Sequence, residues 1–373
     1  MPISAVDTIT LAFQHTKRQL IQPFRFWQWT RLALVGLLAG EMSSSGGGFN
    51  FPTNFRVPQE GGGSRHFVGP ELEQIFPHID PMALAGIITV LVCAFLVFAI
   101  IMMYISSVMR FILFDSVLAK ECHIGQGWSR RQQEGWRFFL WQLGLSLVTL
   151  VVFGILIGVP ALLAFGAGWF KAPREHLVGL ILGGILLFIV LVAISVVSAV
   201  IHVMTKDFVV PQMALEGIGA IEGWRRLWPL LQAEKGGYTI YVLMKIVLAI
   251  GAGIVLGIAT LIVTLAVAIP AVGLAIVVAI SGNTGGFAWN AYTITVAVVV
   301  GCILFAIFMY LVALISVPAI VFFPAYAIYF FAPRYRPLSL VLYPPPPPSP
   351  VTVPAQWPPP EPPPLPPTPV PIG

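Results

Sequence analysis

The sequence predicts an all-α integral membrane protein, a helical bundle with about six transmembrane helices. Of its 373 residues, 58% are hydrophobic and only 9% are charged, whereas about a quarter of the residues in a soluble domain are charged. The uncharged run at residues 81–109 is long enough as a helix to cross a bilayer of about 30 Å. Residues 246–333 contain no Asp, Glu, Lys or Arg. Composition and run length together indicate a protein that resides in a bilayer.

The amino-terminal region combines an interfacial helix with a first membrane segment. Residues 5–22 have an apolar and a polar face at helical spacing, which is typical of a helix that lies in the membrane interface. The apolar face comprises Ile9, Ala12, Phe13 and Leu20, and the polar face comprises His15, Lys17, Arg18 and Gln19. The next segment begins with aromatics typical of an interfacial belt. Its apolar core of about 16 residues after Phe26 either spans marginally or is re-entrant.

Five further spans are expected downstream. The second helix starts at residue 81 and continues past Arg110, and the third and fourth helices lie at residues 138–170 and 176–205. Pro270 and the sequence SGNTGG at residues 281–286 interrupt the last uncharged stretch, as helix breakers and turn residues do. We therefore expect a fifth helix over about residues 238–268 and a sixth over about residues 290–331.

Two segments have biased compositions. Residues 42–80 contain two GGG runs and three consecutive serines, which predicts an irregular extracytoplasmic loop. Residues 344–373 contain 17 prolines in 30 residues, which favours polyproline II or an unstructured tail. The chain therefore divides into a membrane domain at residues 1–343 and a proline-rich tail at residues 344–373.

The chain contains an internal repeat. The motif GWSRR at residues 127–131 returns 96 positions later as GWRRL at residues 223–227. GILIGVPA at residues 154–161 returns 99 positions later as GIVLGIAT at residues 253–260. A short insertion reconciles the two offsets and indicates a duplication. We predict three units, each an interfacial helix followed by two spans, at residues 5–120, 121–215 and 216–335.

The distribution of basic residues predicts the topology. If the first segment crosses the membrane and the amino terminus is cytoplasmic, only four of the 20 Lys and Arg residues lie outside. Those four are Arg56, Arg65, Lys171 and Arg174. A re-entrant first segment would put a large basic cluster outside, so the positive-inside bias favours crossing. We expect a multi-pass protein of the bacterial inner membrane with both termini in the cytoplasm.

The repeated tryptophan–arginine motifs mark cytoplasmic turnarounds between spans. Residues 217–233 form an amphipathic pattern, which predicts a helix on the membrane surface that anchors the turn. An alternative is a lipid-headgroup site, in which arginines bind phosphate while tryptophan lies at the acyl boundary. The residues of this hypothetical site are Trp224, Arg225 and Arg226, with Trp128, Arg130 and Arg131 in the upstream copy.

Small residues and one lysine inside the spans have more than one interpretation. GxxxG spacings predict close helix packing, either within the bundle or in a dimer. They occur at Gly154 and Gly158, at Gly179 and Gly183, and at Gly253 and Gly257. Lys245 lies about two turns into the fifth predicted helix. Its side chain either snorkels to the interface or pairs with Asp207 or Glu216.

The sequence contains no pattern typical of an enzyme or a cofactor site. GxSxG, HExxH and Walker A motifs are absent, and the three cysteines occur singly without ligand spacing. We therefore expect no catalysis, no cofactor and no metal. The basic clusters lie at the ends of apolar runs, which favours lipid headgroups over nucleic acid as partners. His176 and His202 are candidates for haem or chlorin ligation, although packing is the commoner role of such histidines.

The segment PFRFWQWTRLALVGLLAG at residues 23–40 and the two turnaround motifs resemble uncharacterised polytopic membrane proteins of bacteria. The pattern is similar to the non-catalytic membrane domain attached to some glycerophosphodiester phosphodiesterases, and it covers residues 5–335. The resemblance implies a six-helix membrane module with interfacial helices. It does not imply hydrolase activity, because that activity belongs to a separate soluble barrel that uses His, Glu and metal.

These patterns favour a non-enzymatic inner-membrane protein that organises or associates with lipids or a larger membrane assembly. Its partners would be membrane lipids, other subunits of a membrane complex, or further copies of the chain. One alternative is a transporter or permease component, because repeats and helix-breaking prolines are typical of transporters. A further alternative is an accessory subunit of a respiratory or photosynthetic complex that uses His176 or His202.

Overall fold

A computed structural model describes residues 4–22, 24–41, 81–169, 176–285 and 291–344. These residues form helices and turns, and none of them forms a strand. The predicted all-α class is therefore confirmed. The glycine-rich loop at residues 42–80, most of the proline-rich tail, and all four basic residues that the topology prediction places outside lie beyond the described ranges.

Short helices precede, separate and follow two groups of long apolar helices along the chain. The helices that begin the chain are α1 (Asp7–Leu20) and α2 (Phe26–Leu38), followed by the long helices α3 (Pro81–Ala119), α4 (Ile124–Gly166) and α5 (Leu177–Met204). A π-helical turn, Thr205–Val209, connects α5 directly to α6 (Val210–Glu216), and α7 (Ala220–Ala233) follows. The chain continues as α8 (Lys235–Gly285), α9 (Ala291–Phe331), a 3₁₀ turn (Ala332–Arg334) and α10 (Arg336–Leu342).

Five helices of the described residues are long and apolar enough to cross a membrane. They comprise α3, α4, the continuous helix formed by α5 and α6, α8 and α9. The predicted first crossing is shorter, because α2 has 13 residues and so extends only about 20 Å, against about 30 Å for the bilayer core. Residues 42–80, which follow it, lie outside the described ranges, so a sixth crossing stays a prediction.

The packed core lies at one end of the long helices. It is formed by the end of α3, the start of α4, the π turn with α6, the start of α8 and the end of α9, and α1 and α2 pack onto it. Away from this end the long helices expose their apolar side chains. In three of the five spans, no residue of the most apolar stretch is buried within the chain. Such surfaces are suited to lipid, because lipid tails solvate apolar side chains.

Aromatic side chains fill the centre of this core. Phe208 of the π turn contacts Tyr238 and Tyr241 of α8 and Phe330 of α9, with ring centroids 5.1 to 6.0 Å apart. Tyr241 stacks on Tyr326 at 5.1 Å. These contacts join the later spans through one aromatic cluster, and aromatic pairs contribute about 0.5–1.5 kcal/mol each beyond the area they bury.

Two expectations about individual helices were wrong. Pro270 does not end the fifth predicted helix, because α8 continues without interruption to Gly285. Proline is tolerated within transmembrane helices when neighbouring groups satisfy the freed backbone carbonyls. The charged stretch before residue 138 is likewise part of the next span, since α4 already begins at Ile124.

The faces of α1 also differ from the prediction. Ala12 and Leu20 are buried as expected, but His15 and Gln19 are buried with them and Phe13 is 63% exposed. The polar side chains are accommodated in the core by hydrogen bonds. His15 bonds to the Val117 carbonyl oxygen at 3.0 Å, and Gln19 Nε2 donates to the Ser116 carbonyl oxygen at 2.9 Å. The apolar Phe13 lies on the opposite, outward face of α1.

Candidate functional site

A π-helical turn brings two charged residues into the core. The turn Thr205–Val209 joins α5 and α6 without a break, and π turns of this kind are frequent at functional sites. Lys206 and Asp207 are adjacent in it, and the side chain of each is at least nine-tenths buried. A buried charge is tolerated only when opposite charges or hydrogen bonds compensate it. The partners of these two residues therefore define the site.

Glu41, at the end of the α2 region, is the partner of Lys206. The Lys206 ammonium group donates a hydrogen bond to the Glu41 carboxylate. Arg110 of α3 lies on the other side of this carboxylate, with its Nε 4.0 Å from Glu41 Oε1. Arg110 Nη2 donates to the Ala39 carbonyl oxygen at 3.2 Å. One carboxylate from the amino-terminal region thus contacts cations from two of the long helices.

Asp207 forms the second ion pair. Its Oδ2 accepts a hydrogen bond from the Lys245 ammonium group of α8 and another from the Tyr241 hydroxyl at 2.9 Å. Sequence analysis left Lys245 with two alternatives, and the structure shows the internal pair with Asp207 rather than a side chain that snorkels. Asp207 is also not an exposed charge at a helix boundary, because only 4% of it is exposed.

The charged residues of these two ion pairs, together with Arg110, form what we call the buried ion cluster, and most of them line a small cavity. The cluster comprises Glu41, Arg110, Lys206, Asp207 and Lys245, and all but Lys245 line a cavity of about 30 Å³. Two prolines, Pro211 of α6 and Pro324 of α9, also line it. With all five groups ionised, cations exceed carboxylates by one. A cavity of this size has room for about one or two water molecules or for a monatomic ion.

Cations from two different predicted repeat units meet at one carboxylate. Arg110 and Lys206 are separated by 96 positions, the same offset that separates the two tryptophan–arginine motifs. Both residues lie where a long helix enters the packed core, and both contact Glu41. Glu41 therefore contacts one cation from each of the first two predicted units, and the duplication itself stays a prediction.

Ion pairs connect the side chains of the downstream turnaround, the segment from the end of α6 through α7. Gly217 ends α6 in the left-handed region, with φ of 66°, which glycine adopts without strain, and α7 follows. Arg226 pairs with Glu216 and Glu222, and these hydrogen bonds raise its pKa. Arg225 lies 3.6 Å from Glu222 and its side chain is 83% exposed. Trp224 Nε1 donates to Thr205 Oγ1 at 3.0 Å, so its ring packs against the core.

The two arginines of the upstream motif, GWSRR at residues 127–131, differ in burial. Arg130 is exposed, whereas Arg131 is buried, binds both carboxylate oxygens of Asp115, and donates to the Ala214 carbonyl oxygen at 2.6 Å. Trp128 packs edge-on against Tyr104. The structure brings neither triplet together around a common pocket. The headgroup assignment of these six residues stays a prediction.

The glycine pairs of the spans face away from the rest of the described chain. A Cβ atom added at Gly154, Gly158, Gly183 or Gly257 would have no described atom within 4 Å, and one at Gly179 would meet only the Trp169 ring, at 3.3 Å. Among the described residues, therefore, none of these five glycines packs against a neighbouring helix. A role for them and Gly253 in packing against another copy stays a prediction.

A second cavity, missed by sequence reasoning, lies between the start of α2 and the connection from α3 to α4. We name it the interfacial basic pocket. It measures about 150 Å³ and is lined by Arg25, Trp27, Gln28, Arg31, Glu121, Cys122 and His123. The alternation of aromatic and basic residues in FRFWQWTR signals this pocket, but the sequence does not show that the α3–α4 connection closes it.

Burial perturbs the pKa of two groups near these elements. It raises the pKa of the Cys122 thiol at the base of the interfacial basic pocket, which disfavours the reactive thiolate. It lowers the pKa of His15 in α1, with Lys120 and Arg18 acting in the same direction.

Within the described residues, no group of three or more His, Cys, Asp and Glu side chains is placed to hold a metal ion. His176 stacks on Trp169 at 5.6 Å.

Long apolar helices around a single packed end define a multi-pass helical membrane protein. The chain belongs to a family of unknown function, DUF7544, whose model matches residues 3–341. This match includes every described helix from α1 to α9 and most of α10. No curated protein and no solved structure matches the chain.

Proposed function

We propose that this membrane protein is non-enzymatic, binds anionic lipids at the packed end of its helices, and organises them or a larger membrane assembly. The observation that carries the proposal is a set of exposed apolar side chains on the short helices around the core. These side chains are Phe13, Ile21, Phe24, Phe26, Trp27, Ile221 and Trp228. They alternate with exposed basic residues, which is the pattern of helices that lie in a membrane interface.

The two regions of exposed apolar residues support contact with one lipid surface. Trp27 at the start of α2 is 66% exposed and Trp228 of α7 is 57% exposed. Tryptophan is enriched at the level of lipid headgroups, where its ring is apolar and its N–H is polar. Exposed Arg25 and Arg225 lie close in sequence to these rings. Each arginine near an anionic membrane surface contributes about 1 kcal/mol of attraction.

The absence of catalysis is part of the proposal. We propose that the chain is related to the membrane module attached to some glycerophosphodiester phosphodiesterases, without the hydrolase domain. Support comes from the amphipathic helix α7, which precedes the long helix α8, and from the amphipathic helix α1 near the amino terminus, since that resemblance implies interfacial helices. The hydrolase role would require a barrel with His, Glu and metal ligands, and sequence reasoning identifies no such segment.

Lipid retention tests the proposal. The full chain would be purified in a mild detergent, incubated with equal amounts of phosphatidylglycerol and phosphatidylcholine, and analysed by native mass spectrometry. The proposal predicts retained lipid with a preference for the anionic phosphatidylglycerol. A chain that retains no lipid, or retains both lipids equally, would contradict it.

The proposed location is the inner membrane of a bacterium, with the packed end and both termini in the cytoplasm. Thiol labelling tests this orientation in a variant whose three cysteines are replaced. Cysteine in place of exposed Arg225 should react only from the cytoplasmic side. Cysteine in place of Leu177, at the opposite end of α5, should react from the periplasmic side. The reverse result would overturn the proposed topology.

A transport role is a second candidate because of the buried ion cluster. Its cavity lies beside the π turn and is lined by Pro211 and Pro324 on two different spans. Transporters build their binding sites where helix geometry is irregular, and here a π turn and two prolines within helices lie beside charged groups. Flux of chloride into proteoliposomes tests this candidate, since the cluster has an excess of cations. Transport predicts a flux above that of protein-free liposomes that falls in Arg110→Gln, and a flux equal to that of protein-free liposomes removes the candidate.

A further inference from the structure

The interfacial basic pocket lies where two helices begin. Arg25 immediately precedes α2 and His123 immediately precedes α4, and neither residue makes a side-chain cap to its helix. The first-turn N–H groups of a helix have no partner within the helix and carry partial positive charge. Arg25 and His123 both line the pocket, so two helix starts flank the same cavity. The pocket does not depend on these helix starts alone, because two arginine side chains also line it.

Its arginines have free hydrogen-bonding capacity. Arg31 stacks over the Trp27 ring at 5.3 Å and donates from Nη1 to the Cys122 carbonyl oxygen at 3.2 Å. These two contacts fix the guanidinium at the pocket wall and leave its other N–H groups unused by described residues. Arg25 contacts only Glu121 among described acidic groups, at 3.9 Å. Two arginines against one carboxylate leave the pocket with a net positive charge.

Size and position restrict the ligand. A cavity of about 150 Å³ holds several water molecules, each of which takes about 30 Å³ in the liquid, so it has room for a phosphate group. Trp27, which lines the pocket, is exposed, and Phe24 and Phe26, its near neighbours in the chain, are exposed as well. Aromatics at the headgroup level are suited to the glycerol and upper acyl region of a lipid. Arginine forks match the oxygens of phosphate in geometry and charge.

We propose that the interfacial basic pocket binds the phosphate of an anionic lipid headgroup, with Arg25 and Arg31 as the phosphate-binding residues and Trp27 against the lipid. This inference rests on the proposed lipid association and names the site that performs it. It also differs from the site predicted from the turnaround motifs, since none of Trp224, Arg225 and Arg226 lines this pocket.

Two exposed arginines provide a matched pair of variants. Arg25→Gln removes a charge from the pocket, and Arg225→Gln removes a charge from α7, where the side chain is also largely exposed. Native mass spectrometry would compare the ratio of bound phosphatidylglycerol to phosphatidylcholine in the full chain and in both variants. Because neither arginine has a strong buried partner, both variants should fold. Thermal unfolding in lipid-free detergent checks this.

The expected result is a fall of roughly tenfold in the ratio for Arg25→Gln, which loses a charge-assisted hydrogen bond to the phosphate, and a clearly smaller fall for Arg225→Gln, which loses only surface attraction. Arg31→Lys, which keeps the charge but loses the fork, should lower the ratio partially. An equal fall in both glutamine variants indicates general surface charge and overturns the pocket. So does an unchanged ratio in Arg25→Gln. If the full chain shows no lipid preference, the proposed function itself fails, which is a different outcome.

A free phosphate ion could bind the same arginines as a lipid phosphate. A competition experiment distinguishes the two ligands. Inorganic phosphate added at millimolar concentration should displace little phosphatidylglycerol, because only the lipid also gains apolar contacts with exposed Trp27. Complete displacement by inorganic phosphate would show that the pocket takes the free ion and would overturn the assignment to lipid.

Discussion

Arg131 of α4 forms a two-pronged salt bridge with Asp115 of α3, with Nε 2.6 Å from Oδ2 and Nη2 2.8 Å from Oδ1. Its Nη1 donates to the Ala214 carbonyl oxygen of α6 at 2.6 Å. One guanidinium thus connects three helices of the core. This planar geometry matches the fork of arginine and is stronger than a single contact with lysine.

Removal of this guanidinium should destabilise the protein. Arg131→Gln leaves the Asp115 charge and the Ala214 carbonyl without their partner, which should lower the free energy of unfolding by about 3 kcal/mol. The measurement is thermal unfolding in detergent. Arg130→Gln, the exposed neighbour, is the control and should change little. Equal unfolding temperatures for the two variants would show that the salt bridge does not stabilise the core.

Helix identity was predictable in this chain, but the orientation of single side chains was not. The uncharged runs predicted the five spans found among the described residues, and the downstream tryptophan–arginine motif predicted the short amphipathic helix α7 between two of them, whereas the upstream motif lies within α4. Arg130 and Arg131 are neighbours in one motif, yet only Arg131 is buried. Which face of α4 meets the core depends on Asp115 and Ala214, which lie 16 and 83 residues away in the chain. Helical periodicity separates the two side chains but does not say which one is inside.

α3 and α4 pack tightly against each other at a glycine. A Cβ atom at Gly135 would lie 2.6 Å from Val108 Cγ2 and 3.0 Å from Val108 Cα. Because one of these atoms belongs to the backbone, Gly135→Ala must move the helices apart, which should cost about 1–3 kcal/mol. Gly144→Ala on the same helix has no neighbour within 4 Å and should be neutral, or stabilising by up to about 1 kcal/mol. Thermal unfolding compares them, and a Gly135→Ala variant as stable as Gly144→Ala would contradict the packing.

The attachment of α1 should depend on pH through His15. The Val117 carbonyl oxygen can only accept, so His15 Nε2 carries the proton, and Nδ1 then accepts from the Tyr329 hydroxyl at 3.1 Å. Burial lowers the pKa of His15 below its ordinary value of 6.5. The unfolded chain therefore binds more protons than the folded chain as the pH falls below about 6.5, and the stability decreases with it. Above that pH the contribution of neutral His15 is fully present.

Unfolding temperatures at about pH 7.5 and about pH 5.5, on either side of the unfolded pKa of histidine, measure this effect. The unmodified chain should lose stability at the lower pH, and His15→Gln should lose less because glutamine does not titrate. His123→Gln, at an exposed histidine, is the control and should keep the full pH dependence. A steeper loss in His15→Gln than in the unmodified chain would contradict the assigned role.

The buried ion cluster was only partly predictable. A pair between Lys245 and Asp207 was one of two alternatives that the sequence left open. The contact between Glu41 and Lys206 was not predicted, because it joins residues separated by 165 positions. The π turn that places Lys206 and Asp207 in the core leaves no pattern in composition or periodicity. Long-range pairs of this kind depend on how the helices assemble rather than on any local signal.

The ion pair of Asp207 and Lys245 provides the sharpest test of the core. Lys245→Met leaves a buried carboxylate with only the Tyr241 hydroxyl among its described partners, which should cost about 3–5 kcal/mol, and Asp207→Asn should cost a similar amount by stranding the ammonium group. The double variant Asp207→Asn/Lys245→Met removes both charges, so its loss should be smaller than the sum of the two single losses. Lys235→Met, at the exposed start of the same helix α8, is the control and should have little effect. Strict additivity in thermal unfolding would mean that Asp207 and Lys245 do not stabilise each other, and the buried ion cluster would then lack its second pair.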